Sequence, residues 1–151
     1  MCGSVTKKMS TDDVDQKIIH MLQEDSRRSF SEIAEKLTLS ESAIRKRVLA
    51  LQEKGVIKKF TIEVDPSKLG FNSVSVVGVD AEPTKLLEVV EKLCYLDETK
   101  SVATSTGDHM IMMEIWAKDG RELTKILTEK IGVIEGVKKI CPAMILEKFK
   151  E

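Results

Sequence analysis

Apolar residues recur at helical spacing three times in the first third of the chain. Val14, Ile18, Met21 and Leu22 fall at i, i+4, i+7 and i+8, which predicts a helix from about Asp12 to Glu24. Thr11, Asp12 and Asp13 are each suited to cap it, and the early acids suit its positive end. Ser29 to Ser31 offers a break and a new N-cap, with Ala34 standing where Glu or Gln would complete a capping box. Ile33, Ala34 and Leu37 then share one face of a second helix. Ile44, Val48 and Leu51, at i, i+4 and i+7, mark a third from about Glu41 to Lys54, stopped by Gly55. Thr38, Leu39 and Ser40 form the tight turn between the second and third. Two short helices, a turn of this length and a longer helix make a helix-turn-helix. A step of about 100° per residue places Ser42 and Lys46 almost opposite Ile44. Ala43 lies to one side of that outward face, with Arg45 and Arg47 on its flanks.

Beyond Gly55 the period changes. The segment Lys58 to Asp65 (KKFTIEVD) alternates as a strand does, and with Lys58 and Lys59 at its start it reads as a small wing. Asp65, Pro66, Ser67, Leu69 and Gly70 break regular structure and read as a linker. The rest alternates strands and helices. Strands are expected at Asn72–Asp80, Lys100–Ser105, Met110–Ala117 and Val137–Phe149, with Pro142 placing part of the last at an edge or bulge. A helix opened by Pro83 puts Leu86, Leu87, Val90, Leu93 and Cys94 on one face. Another after Gly120 turns Leu123, Ile126 and Leu127 inward and ends near Gly132. The order β-α-β-β-α-β is the split, ferredoxin-like pattern with an antiparallel sheet. The fold class is therefore α+β, with a leader over residues 1–11, a winged helix-turn-helix over 12–62, a linker over 63–71 and a ferredoxin-like domain over 72–151. A sheet with helices on one face leaves its other face to be covered, which favours a dimer.

Charge sharpens the picture of the third helix. The formal net charge is −1, which argues against a non-specific polyanion binder. Between Ser42 and Ile62, however, six basic residues (Arg45, Lys46, Arg47, Lys54, Lys58, Lys59) face one acid, Glu53, a local net of +5. Residues 12–41 carry eight acids against four bases. Positive charge is thus concentrated where a helix in the major groove of double-stranded DNA needs it. Ser42, Ala43 and Lys46 are placed to read bases, Arg45 and Arg47 to meet phosphates or base edges at the groove margin, and Ser40, Lys58 and Lys59 complete the contact set.

Composition excludes other classes. Aromatic residues make up 4% of the chain, too few for single-strand recognition by stacking. Cys2, Cys94 and Cys141 are odd in number and widely spaced, so reduced thiols are expected rather than a zinc site or a disulfide framework. No phosphate loop, catalytic triad or paired metal ligands are present, and no cofactor is expected. No apolar run reaches the roughly 18 residues of a bilayer span. A cytoplasmic protein is expected, with no membrane partner.

Three stretches together resemble the leucine-responsive regulatory protein (Lrp/AsnC) family of transcription regulators: DVDQKIIHMLQEDSRRSFSEIA, LSESAIRKRVLALQEKGVIKKFT and STGDHMIMM. The resemblance covers nearly the whole chain, from Asp12 to about Phe149. Arg47 falls where the family has its regular recognition-helix arginine, whereas Leu49 and Ala50 depart from its often basic residues. The resemblance implies a sequence-specific DNA-binding regulator, a homodimer formed through the sheet, assembly of dimers into octamers or larger, and an amino-acid effector held near the loop after the strand at 100–105. That loop here contains Thr106, Gly107, Asp108, His109 and Met110. The family's frequent Gly-Asp-x-Asp has lost its last acid to Met110, so either a different effector is preferred or none is needed. His109 is either a ligand contact or an ordinary surface group, and Met110, Met112 and Met113 are expected in the strand core. Two competing functions are a subunit like those of sirohaem decarboxylase, which would need histidines converging on a tetrapyrrole where the chain has only His20 and His109, and an architectural DNA-binding protein with little sequence preference.

Overall fold

The computed structural model describes residues 11–149. Of the expected leader only Thr11 lies among them, and Cys2 falls outside. The chain divides into two compact units after Glu63.

The first unit is helical. Helix α1 (Asp13–Glu24) is capped by Asp12, whose carboxylate accepts the Asp15 amide at 2.8 Å while the Asp15 carboxylate faces the Asp12 amide at 3.4 Å. Helix α2 (Phe30–Leu37) is capped by Ser29 rather than Ser31. Ser29 has Glu32 three residues on, and that carboxylate takes the Ser29 amide at 2.8 Å, so a complete capping box wins over the incomplete one at Ser31. Thr38 ends α2 in the left-handed conformation (φ 56°, ψ 45°), which lets the Leu39 amide reach the Ala34 carbonyl at 2.9 Å. A β-branched residue there costs about 1–2 kcal/mol. The expense is tolerated because the turn must be tight enough for Ser40 to start α3 (Glu41–Glu53) at once. Ile18, Ile33 and Ile44, one from each helix, are fully buried with Met21, Leu22, Ala34 and Val48 around them. Leu37 is only half-buried, and Leu51 is buried.

The wing strand is not formed. Residues 58–65 belong to no strand, and no segment among the described residues of the chain pairs with them as a ladder partner. Phe60 and Ile62, the apolar half of the alternation, are exposed.

The second unit is an antiparallel sheet of β1 (Ser73–Ala81), β2 (Thr99–Thr104), β3 (Ile111–Ala117) and β4 (Val137–Met144), in the order β2-β3-β1-β4. Helix α4 (Leu86–Cys94), entered through a 3-10 turn at Pro83–Lys85, and helix α5 (Gly120–Lys125), extended by a π-helical stretch at Ile126–Ile131, complete the ferredoxin-like order. Val77, Val79 and Ala81 of β1 and Ile111, Met113, Ile115 and Ala117 of β3 meet Val89, Leu93, Leu123, Ile126 and Ile131 in one core.

Three details differ from the expected pattern. Val89 is buried while Leu87 and Cys94 face solvent, because six apolar residues among nine cover more than one face of α4 and periodicity alone cannot choose between them. Ile131 is buried although an α-helical period from Ile126 would turn Lys130 inward. The wider π turn, with the Gly132 amide bonded to the Leu127 carbonyl at 2.8 Å, brings Ile131 in and leaves Lys130 free to pair with Glu98. Strand β4 ends at Met144, not Phe149, because it runs off the start of β1: Met144 pairs with Ser75, and the Ile145 amide takes the Val74 carbonyl. Pro142 sits on this edge strand, where a missing N–H is harmless. Of the three methionines, Met113 is core, Met110 is half-buried against it, and Met112 lies on the opposite sheet face.

Candidate DNA interface and effector loop

The recognition helix owes its aim to its ends and its inner face. The Ser40 hydroxyl accepts the Ala43 amide at 3.2 Å and lies 3.1 Å from the Ser42 hydroxyl, so Ser40 is spent on capping. Ile44, Val48 and Leu51 face the core. Ser42 and Lys46 are exposed on the outward side, and Ala43 is half-buried beside them. Lys58 and Lys59 are exposed beyond the helix.

The two arginines are engaged within the unit. Arg45 reaches Glu41 at 2.7 Å, one turn back, and its guanidinium lies 5.3 Å from the centre of the Phe30 ring. Arg47, expected on the groove flank, turns back instead onto α1. Its Nη1 donates to Asp12 at 2.7 Å and to Asp15 at 2.8 Å. These hydrogen bonds raise the Arg47 pKa further, Asp12 contributing most. In return, the Asp15 amide first and Arg47 second hold the Asp12 carboxyl below its usual value. Asp12 was legible as a cap, but neither it nor Asp15 as a cation site, because the partner lies more than thirty residues away in sequence.

In the second unit the loop after β2 is pinned at both ends. The Ser105 amide donates to the Met110 carbonyl at 2.9 Å, and the Ser105 hydroxyl donates to the His109 carbonyl at 2.6 Å. Thr106, Gly107 and Asp108 are exposed, with Gly107 at φ 148°. His109 is not an ordinary surface group: it is partly buried and folds back over β1. Its Nδ1 lies 3.1 Å from an oxygen of Asp80, whose other oxygen accepts the Met110 amide at 3.2 Å. The ring covers Gly78, where an added Cβ would come within 2.1 Å of it. Asp80 and Gly78 were missed by sequence reasoning; the available signal was a glycine interrupting the β-branched run Val76-Val77-Gly78-Val79.

Asp80 gives this loop an acid limit. The His109 hydrogen bond, aided by the Met110 amide, holds its carboxyl below the ordinary value of about 3.9. A depressed folded-state pKa means that the carboxylate's contribution is complete above that value and is lost as pH falls through the folded one. Between pH 6 and pH 3 the urea midpoint followed by Trp116 fluorescence should therefore fall further in the wild type than in Asp80→Asn. Parallel declines would show that the pairing adds nothing.

Comparison with known proteins decides what these units are. An AsnC-type helix-turn-helix domain model matches residues 12–52, and an Lrp/AsnC ligand binding domain model matches residues 74–151. The chain belongs to the Lrp/AsnC family. It is 52% identical to the HTH-type transcriptional regulator LrpA of Pyrococcus horikoshii, over 92% of this chain and 99% of that protein. It is 34% identical to LrpA1 of Halobacterium salinarum, over 94% of this chain and all of that protein. Among solved structures, Escherichia coli AsnC superposes with a TM-score of 0.84 at 23% identity, covering 94% of this chain and 96% of that one. The transcriptional regulator NMB0573 of Neisseria meningitidis, solved as an L-Met complex, gives 0.85 at 19%, covering 94% of each. At those identities the likeness is one of fold. The Lrp/AsnC assignment makes the chain a helix-turn-helix transcription regulator with a ligand-binding domain. No helix among the described residues is long and apolar enough to cross a membrane.

Proposed function

We propose that this Lrp/AsnC regulator reads double-stranded DNA with the N-terminal half of α3, and that its sheet domain sets the number and spacing of the α3 helices that reach the DNA. The observation that carries the reading is the state of Lys46. Among the basic residues on α3 it alone is exposed without an ion pair, opposite the buried Ile44, beside Ser42 and Ala43. Arg45 is one rotamer change from a phosphate, and Lys58 and Lys59 add charge on the segment that follows. Ser40 serves by holding the first turn of α3 rather than by touching a base. Leu49, more than half exposed in the second half of α3, leaves that half with little polar reach, so a single copy binds weakly.

Dimerisation through the open sheet face supplies the second copy. That face presents Val74, Val76, Met112 and Trp116, all half-buried in the single chain, and a dimer presents two recognition helices to two half-sites. Assembly of dimers into octamers extends the same logic. The effector is an amino acid or a related small metabolite at the loop of Thr106, Gly107, Asp108, His109 and Met110. With Asp80 already occupied, Asp108 is the exposed carboxylate there, so an effector that depends little on an amine contact fits better than one anchored by its ammonium group. The protein works in the cytoplasm, where the DNA is. The tetrapyrrole alternative is disfavoured because His20 sits with Glu24 on α1 and His109 with Asp80, each committed within its own unit.

Fluorescence anisotropy with DNA from the protein's own promoter region, across a salt series, tests the reading. Lys46→Ala should weaken that complex by about tenfold, while binding to a random duplex changes little, if Lys46 reads a base. Equal losses on both duplexes, with a salt slope shallower by about one, would make it a phosphate contact. No salt-sensitive complex with wild-type protein would sink the DNA-reading proposal.

A further inference from the structure

The arginine in the middle of the recognition helix is hydrogen-bonded to both carboxylates of the α1 capping box. Asp12 uses one carboxylate oxygen for the Asp15 amide and the other for Arg47; Asp15 offers one oxygen to the Asp12 amide and the other to Arg47. The cap of one helix and the anchor of another are thus the same two side chains. Asp15 is largely buried and Arg47 about one-third exposed, so the pair is shielded better than an ordinary surface ion pair. Releasing Arg47 to a phosphate would leave two adjacent carboxylates facing each other beside a polyanion. The side that carries Arg47 is also the side away from Lys46: both are basic, but one points to solvent and the other to α1.

We infer that Arg47 is a positioning residue for DNA recognition rather than a DNA contact: through Asp12 and Asp15 it fixes the rotation of α3 about its own axis, and so the aim of Ser42 and Lys46. The inference rests on the proposed reading of DNA by α3 and goes beyond it by removing its central arginine from the contact set. A clamp from the N-terminus of α1 to the middle of α3 also explains how a unit with a small core, seven buried side chains in its main cluster among the described residues, holds a recognition helix in one orientation. A site that reads bases must be held to well under an ångström.

The discriminating variant is Asp15→Asn. Removing a negative charge from a DNA-binding unit tightens DNA binding if charge is all that matters. Loss of the clamp has the opposite sign. Asp15→Asn and Arg47→Met should each weaken binding to promoter DNA about tenfold while leaving random duplex binding within about twofold, and the double variant should be no worse than either single one. The slope of log affinity against log salt should be unchanged in both. An Arg47→Met protein whose slope is shallower by about one, with parallel losses on both duplexes, would make Arg47 a phosphate contact and overturn the inference. So would an Asp15→Asn protein that binds promoter DNA more tightly. Backbone amide exchange of the α1 N-terminus gives a readout without DNA: it should quicken in Arg47→Met as it does in Asp15→Asn, and unchanged exchange would show that the clamp holds nothing. Absence of a wild-type DNA complex would instead count against the reading on which the inference rests, leaving the exchange result to judge the clamp.

Discussion

Ile44→Ala unfolds the N-terminal unit at temperatures where the sheet domain remains intact. Ile44 is fully buried and sits between Ile18 and Ile33, which are buried to the same degree. Truncating such a residue costs about 2–5 kcal/mol, the transfer of the lost methyl groups plus the cavity they leave. A unit of some fifty residues has only about 2.5–7.5 kcal/mol to lose, at roughly 0.05–0.15 kcal/mol per residue. The loss is therefore comparable with the whole stability of the unit. The chain supplies its own pair of probes. Its single tryptophan, Trp116, lies in β3 and reports the second unit alone, whereas α1 to α3 contribute a large part of the helical signal in far-ultraviolet circular dichroism. In Ile44→Ala the helical signal should fall in two steps with the first shifted to low temperature, the Trp116 transition should stay in place, and promoter binding should vanish. Leu49→Ala, on the exposed side of the same helix, should stay within about 0.5 kcal/mol of wild type. A Trp116 transition that moved with the helical one would show that the two units unfold as one.

The isoleucines of that core were legible because helical period and burial coincide: Ile18, Ile33 and Ile44 stand where spacing put them, and the succession of strands and helices along the second unit followed from the change of period. What was not legible has local and long-range origins. Ser29 outcompeted Ser31 through a carboxylate three residues downstream, a local signal that simple periodicity does not weigh. Ile131 came inward because a π turn changed the period within a helix. The segment Lys58 to Asp65 alternates as strands do, yet alternation describes which side a residue would face and supplies no partner for the backbone. Arg47 and His109 have the least expected partners, and both pairings are long-range. Arg47 reads as outward and His109 as a ligand contact or a surface group, and each is instead held by acids to which its own stretch gives no pointer. The core isoleucines are thus carried by a period visible in the sequence, whereas Arg47 and His109 are held by partners distant in it.

Gly78→Ala destabilises the sheet domain although the general rule for strands predicts the reverse. Glycine in the middle of a strand is worth about 0.5–1 kcal/mol less than alanine, so replacing it should help wherever space allows. Here it does not. Gly78 pairs with Met112 on one side and Cys141 on the other, in the centre of the sheet, and an alanine Cβ would lie 2.1, 2.4 and 2.8 Å from three atoms of the His109 ring. No real Cβ tolerates such contacts, so the imidazole must leave its place, and the Asp80 hydrogen bond and one anchor of the loop from Ser105 to Met110 go with it. Forcing an extra methyl into a packed site costs about 1–3 kcal/mol, enough to reverse the favourable backbone effect. The urea midpoint followed by Trp116 should fall, and amides of the loop should exchange faster. The second substitution separates the clash from any intrinsic fault of alanine at this position. In a His109→Ala background the ring is gone, the obstacle with it, and Gly78→Ala should then be neutral or stabilising. A lower midpoint in both backgrounds would place the cause in the backbone of β1. An unchanged midpoint in the wild-type background would mean that the ring leaves at no cost, and that His109 is not what holds the loop from Ser105 to Met110 against the sheet.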